Sequence, residues 1–360
     1  MSINFIISVI AVFFAFIIPS VSYKIFSTGN NPFADKNIKS VFLPFITSSL
    51  VISSVAYPFA YDKYDFLHSF NFIEMITPFL LAVLLFFCNK NSRTSKHFTI
   101  LLLLASLICS FTIPTETVST ILPIPALCTR IIISAACFSF SYLYRYANLG
   151  GATLGTQSVA IALGISVLGI IGAIPFFLGL LGMIITAGCF AIMVATYPPS
   201  NKTVPDNDAS CLGFILFALM LWTTGEQAAP CAAIFALYFV ADLIWALLLR
   251  LTFIEQYSNI KENTAYRQAI AQGIAPQSAT SFLCRAQILI IIFGAFQAYN
   301  SQPHSLLLIS ALVSIWLLYK MRNLSENNKT IKDLNKEVLE DLQARINNIK
   351  QSTNKEEGDQ

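Results

Sequence analysis

Charge is what this chain has least of. Aspartate, glutamate, lysine and arginine make up 11% of its 360 residues, against about 25% in a water-soluble domain. That shortage argues against an ordinary soluble enzyme. The net charge is only +3, and no nucleic-acid partner is expected. None of the eight cysteines forms a CxxC pair, and most lie inside apolar runs. They read as buried thiols, which counts against a zinc site or a disulfide framework. No basic residue precedes Lys24, so the positive leader of a secretory signal is missing. Residues 4–23 are expected to be a retained first helix. No internal repeat is visible, which counts against a transporter built from related halves.

What is there is apolar sequence. The chain is 56% hydrophobic, with a mean hydropathy of +0.67. Runs of about 17 to 25 apolar residues recur, each long enough to cross a bilayer as a helix. Eleven spans are predicted: 4–23, 42–60, 71–88, 98–113, 121–143, 153–172, 175–196, 212–225, 230–250, 281–299 and 304–321. The expected fold is therefore all-α, a polytopic membrane bundle of about eleven helices over 1–322. A cytoplasmic tail follows over 323–360. In that tail Ile331, Leu334, Val338, Leu342, Ile346 and Ile349 recur every three or four residues, the mark of one apolar helix face. It suits a helix lying on the membrane surface or a short coiled coil.

Alternate loops differ in charge. Lys24, Lys36, Lys39, Lys90, Arg93, Lys96, Arg145, Lys202, Arg250, Lys261 and Arg267 fall on one side, while the other holds Lys63 and little else. Basic loops stay cytoplasmic. The N-terminus is therefore expected in the periplasm and the tail in the cytoplasm, across the inner (plasma) membrane. Spans six and seven carry Gly164, Gly169, Gly172, Gly179, Gly182 and Gly188, a signal for close helix packing.

A polar island runs from Tyr197 to Phe214. Pro198, Pro199 and Pro205 cannot continue a helix, so the chain is expected to leave regular structure there. Beside a membrane such backbone is tolerated only where water or protein satisfies it. Asp206 and Asp208 stand at this break, and carboxylates are hard oxygen ligands suited to magnesium. Within span nine Asp242 is a charge at membrane depth, which usually faces a cavity or a partner. Lining a cleft is one reading; pairing with Arg130 or Arg285 is the other.

The Pro-Pro pair ending at Pro199, with Asp206 seven residues later and Gly213 seven beyond that, resembles the polyprenyl-phosphate N-acetylhexosamine-1-phosphate transferases. Further anchors are similar in order and spacing: Pro32 and Lys36 in the first loop, Asn148, Leu149 and Gly155 after span five, Asp242 with Arg250, and Gly273 before Ser278-Ala279. The departures are as definite. Asn89 and Lys90 stand where the family has an Asp-Asp pair. Gly151 and Leu154 replace two aspartates after span five, and Thr264, Tyr266 and Arg267 replace histidines. Pro205 and Asp208 replace the glycines of the family's central loop.

The resemblance implies transfer of a hexosamine-1-phosphate from a UDP-sugar to undecaprenyl or another polyprenyl phosphate, with Mg2+ as cofactor and a homodimer as the assembly. It implies Asp206 as the catalytic residue and a metal ligand, with Asp208 assisting at the metal. Lys36, Asn148, Asp242 and Arg267 would bind substrate. The departures leave a second reading, a non-catalytic relative that binds the lipid carrier or scaffolds a glycan-assembly complex. A transporter is the third, although the polar residues gather at one face rather than at the bilayer midplane.

Overall fold

The computed structural model describes residues 77–85, 95–112, 125–150, 152–198, 204–224, 228–252, 260–299 and 306–323. The expected spans 4–23 and 42–60, Lys36, Asn89, Lys90 and the tail from 324 onward lie outside them. Among the described residues there is no strand. Ten helices follow in order: α1 (77–85), α2 (Ser95–Phe111), α3 (Ala126–Tyr144), α4 (Thr153–Ile170), α5 (Phe176–Thr196), α6 (Asp206–Thr223), α7 (Ala229–Thr252), α8 (Ala265–Ala271), α9 (Pro276–Tyr299) and α10 (Leu306–Asn323). Short 3-10 turns at Arg145–Ala147 and Ile260–Asn263 interrupt the connections. Six helical segments are long and apolar enough to cross a membrane: Ala126–Ala147, Thr153–Ile170, Phe176–Thr196, Ala229–Leu251, Pro276–Tyr299 and Leu306–Asn323.

Close approach of backbones organises the bundle. α4 and α5 form a hairpin whose helices touch at glycine. A Cβ on Gly155 would lie 2.6 Å from the Met193 Cα, and one on Gly169 would lie 2.5 Å from the Gly179 Cα. In a lipid environment such small residues supply the packing that a larger side chain would prevent. The reversal between the two helices is a Schellman turn. Gly172 takes φ 77°, its N–H reaches the Gly169 carbonyl at 3.3 Å, and the Ala173 N–H reaches the Leu168 carbonyl at 2.9 Å. Pro175 then caps α5. The Phe235 ring of α7 packs onto both Gly164 of α4 and Gly294 of α9.

α6 is the central helix. It packs against α2, α3, α4, α5 and α7 and is buried on almost every side, as a helix apolar all round must be. Its start corrects the expected span 212–225. The helix begins at Asp206, directly after Pro205, so both aspartates lie in its first turn rather than in irregular chain. Carboxylates are favoured at that end because the unpaired N–H groups there carry partial positive charge. α9 likewise begins at Pro276, five residues before the expected 281, because proline suits a first helical position. Outward residues such as Ile100, Leu103, Ile131, Ile292, Leu312 and Ile315 stay exposed, as faces turned to lipid do.

Candidate functional site

Three connections meet at one end of the bundle. Asn148 follows α3, Asp206 opens α6, and Lys261 lies in the 3-10 turn after α7. The Asn148 amide donates to Asp206 Oδ1 at 3.1 Å and also to the Val204 carbonyl. The Lys261 ammonium lies 2.7 Å from the same Asp206 oxygen. The Asp206 side chain is 48% exposed and that of Lys261 25%. Two donors therefore converge on one half-exposed carboxylate at the N-terminus of the central helix.

Beside them lies a shallow depression with room for about one water molecule, lined by Asn148, Gly150, Thr153, Thr196 and Val204 among others. Its rim is strained. Ala152 caps α4 at φ 68°, a left-handed conformation that costs an L-residue about 1–2 kcal/mol. The Thr153 hydroxyl braces this turn by donating to the Ala147 carbonyl at 2.8 Å and accepting from the Leu149 N–H at 3.1 Å. These bonds set the direction in which Asn148 leaves α3.

Asp242 does not join this carboxylate. It is 5% exposed; its Oδ1 accepts the Ala265 N–H at 2.9 Å and lies 3.8 Å from Arg322. The partner is thus Arg322, rather than Arg130 or Arg285. Arg130 donates to the Ser110 carbonyl at 3.0 Å, and Arg285 is exposed. The reason is the course of α10: the Tyr238 hydroxyl of α7 meets Met321 at 3.2 Å, and Arg322 follows directly. Arg322 also donates to the Asn263 carbonyl at 2.9 Å. Asp242 and Arg322 together pin the segment 260–265 to the bundle, and that segment carries Lys261. Asp242 is therefore a positioning residue for the site, acting at one remove.

Asp208 also departs from the expected arrangement. It is 2% exposed and close to the buried Cys211, whereas Asp206, two residues earlier, opens outward. Two residues along a helix point about 200° apart, so the two aspartates do not form a ligand pair. Arg267 is half-buried on α8, six residues beyond Lys261, and its Nε makes no hydrogen bond with the described residues. Its neighbour Tyr266 bonds Thr280 at 3.2 Å. Burial pushes the Tyr266 phenol above its usual range, and the Thr280 bond and the Arg267 charge pull it back down. Nearby, the Tyr197 and Ser281 hydroxyls meet at 3.5 Å.

Among the described residues the site offers magnesium one open carboxylate, that of Asp206. That ion demands near-octahedral oxygen coordination at about 2.0–2.1 Å, commonly from one or two carboxylates plus phosphate and water. Among the described residues no group of three histidine, cysteine, aspartate or glutamate side chains is placed to hold a metal. Asp208 is turned inward, and one oxygen of Asp206 already takes an ammonium and an amide. Lys261 is the residue that sequence reasoning passed over. It reads only as a basic loop charge, 55 positions from Asp206, and no spacing ties the two together.

The fold defines the class: a membrane protein that is helical throughout its described residues, six of whose described helices are long and apolar enough to cross a bilayer. Within that class, no protein family model and no curated protein sequence matches the chain.

Proposed function

We propose that the chain is a membrane transferase that moves a hexosamine-1-phosphate, of the GlcNAc or MurNAc type, from a UDP-sugar to a polyprenyl phosphate in cell-envelope glycan synthesis. The meeting of Asn148 with Asp206 across 58 positions of sequence, at 3.1 Å, supports it most. In this reading the chain crosses the inner membrane about eleven times, with the N-terminus periplasmic and the site and tail cytoplasmic.

The chemistry is a displacement at the sugar-linked phosphorus. An oxygen of the lipid phosphate attacks it, the bond to the UMP oxygen breaks, and UMP leaves with the electron pair. The lipid gains a diphosphate-linked sugar. The charge developing on the UMP oxygen needs aimed donors. The Asn148 amide and Lys261 ammonium are groups of that kind, and Asp206 aligns both. The Arg267 guanidinium offers a further planar fork for phosphate.

A second reading has its own support. With Asp208 buried and Asp206 held by a lysine, no second open carboxylate stands at the site among the described residues, as suits a non-catalytic relative that binds the lipid carrier. One assay separates the two: purified protein with UDP-N-acetylglucosamine and undecaprenyl phosphate, with and without magnesium. UMP release that Asp206→Asn abolishes is the expected result. Absence of turnover with every UDP-hexosamine overturns the transferase reading in favour of the non-catalytic one.

A further inference from the structure

The cation at the centre of the candidate site belongs to the chain itself. Lys261 places its ammonium 2.7 Å from Asp206 Oδ1, and the Asn148 amide takes the same oxygen at 3.1 Å. An ion bound to that oxygen would have to displace both donors or sit within a few ångströms of a positive charge. The arrangement is built rather than incidental. The Thr264 hydroxyl donates to the Lys261 carbonyl at 2.8 Å. Arg322 holds the Asn263 carbonyl at 2.9 Å, and Asp242 holds the Ala265 N–H at 2.9 Å. These three bonds fix the backbone from the Lys261 carbonyl to Ala265. The four-carbon stem of Lys261 gives the ammonium reach beyond the anchored backbone.

We propose that Lys261 is the resident cation of this site, passing from Asp206 to the diphosphate of a nucleoside diphosphate sugar, so that the nucleotide binds without a divalent ion. This rests on the nucleotide-sugar reading above and narrows it. A lysine binds phosphate as a point charge, and here it stands beside an amide donor on a half-exposed face. Asp206 competes with the incoming diphosphate for the same ammonium. Removing its negative charge therefore favours the nucleotide, whereas removing a metal ligand would do the opposite.

The test is calorimetric titration of the full chain in detergent with UDP, once with magnesium and once with EDTA. Equal affinity in the two buffers is expected. Lys261→Gln should weaken UDP by about tenfold or more in both, the scale for losing a charge-assisted bond, and Lys261→Arg should restore most of it. Asp206→Asn should tighten UDP in EDTA, a change that misfolding cannot mimic. Binding that appears only with magnesium, or that Asp206→Asn destroys, overturns this inference and leaves the nucleotide reading standing. No UDP binding in either buffer overturns both.

Discussion

Gly213→Ala adds a single methyl group at the place where the central helix can least accept it. The new Cβ would lie 2.5 Å from the Tyr144 Cβ, 2.9 Å from its Cγ and 3.2 Å from the Ser141 Cα. Carbon atoms rest about 3.5–4.0 Å apart, so a gap of roughly 1–1.5 Å must open. Tyr144 cannot yield it. The side chain is fully buried, its hydroxyl bonds Ser158 at 2.8 Å, and its ring packs at 5.4 Å on Phe140 and 5.0 Å on Phe239. α6 must therefore move away from α3, at a cost of about 1–3 kcal/mol for overpacking. Asp206 lies two turns nearer the start of α6, on the same face as Gly213. A displacement of about 1 Å there carries its carboxylate beyond hydrogen-bond reach of Asn148. Unfolding by SDS in mixed micelles reads the cost. A double-mutant cycle of Asn148→Ala with Asp206→Asn reads the coupling, which should be present in the parent and absent beside Gly213→Ala. A Gly213→Ala protein within about 0.5 kcal/mol of the parent, with the coupling intact, would refute this account of the α3–α6 contact.

Two further outcomes follow from the same contacts. Asp242→Ala leaves the Arg322 guanidinium buried without its carboxylate and should cost about 3–5 kcal/mol; Asp242→Asn, which still accepts the Ala265 N–H, should cost less. Equal unfolding curves for the two would remove Asp242 from its anchoring role. Ala152→Gly relieves a left-handed alanine and should stabilise the chain by about 0.5–1 kcal/mol net of the added freedom of the unfolded chain, so an unchanged or lower thermal midpoint would contradict the strain.

The helices were legible because lipid imposes a length and a composition that repeat along the chain. The glycines of spans six and seven read as packing residues, and Gly164, Gly169, Gly179 and Gly182 do sit against neighbouring chain atoms at under 3 Å for an added Cβ, whereas Gly172 meets nothing and instead makes the turn. The ends of helices were less legible. Three prolines within eight residues suggested chain without regular structure up to the span at 212, yet the helix begins directly after one of them, Pro205. Hydropathy alone also understates α6, since its first turn is polar and its burial is supplied by neighbouring helices rather than by lipid.

The site was legible where one residue's surroundings depend on a turn, and hidden where they depend on a distant helix. Asn148 and Asp206 each border a break between apolar runs, so a shared face of the membrane already brings them near. Asp242 reads as a charge in need of a partner. Which arginine answers it depends on α10 lying beside α7, and that order is not written in any local pattern. Lys261 is one step further removed. It reaches Asp206 because the Asp242–Arg322 pair ties down the turn that carries it, so the position of the site's cation is set by a buried ion pair that never touches it. A carboxylate at the start of a helix invites a cation, and the helix end alone is indifferent to whether a metal or an ammonium answers. The anchored turn supplies the ammonium.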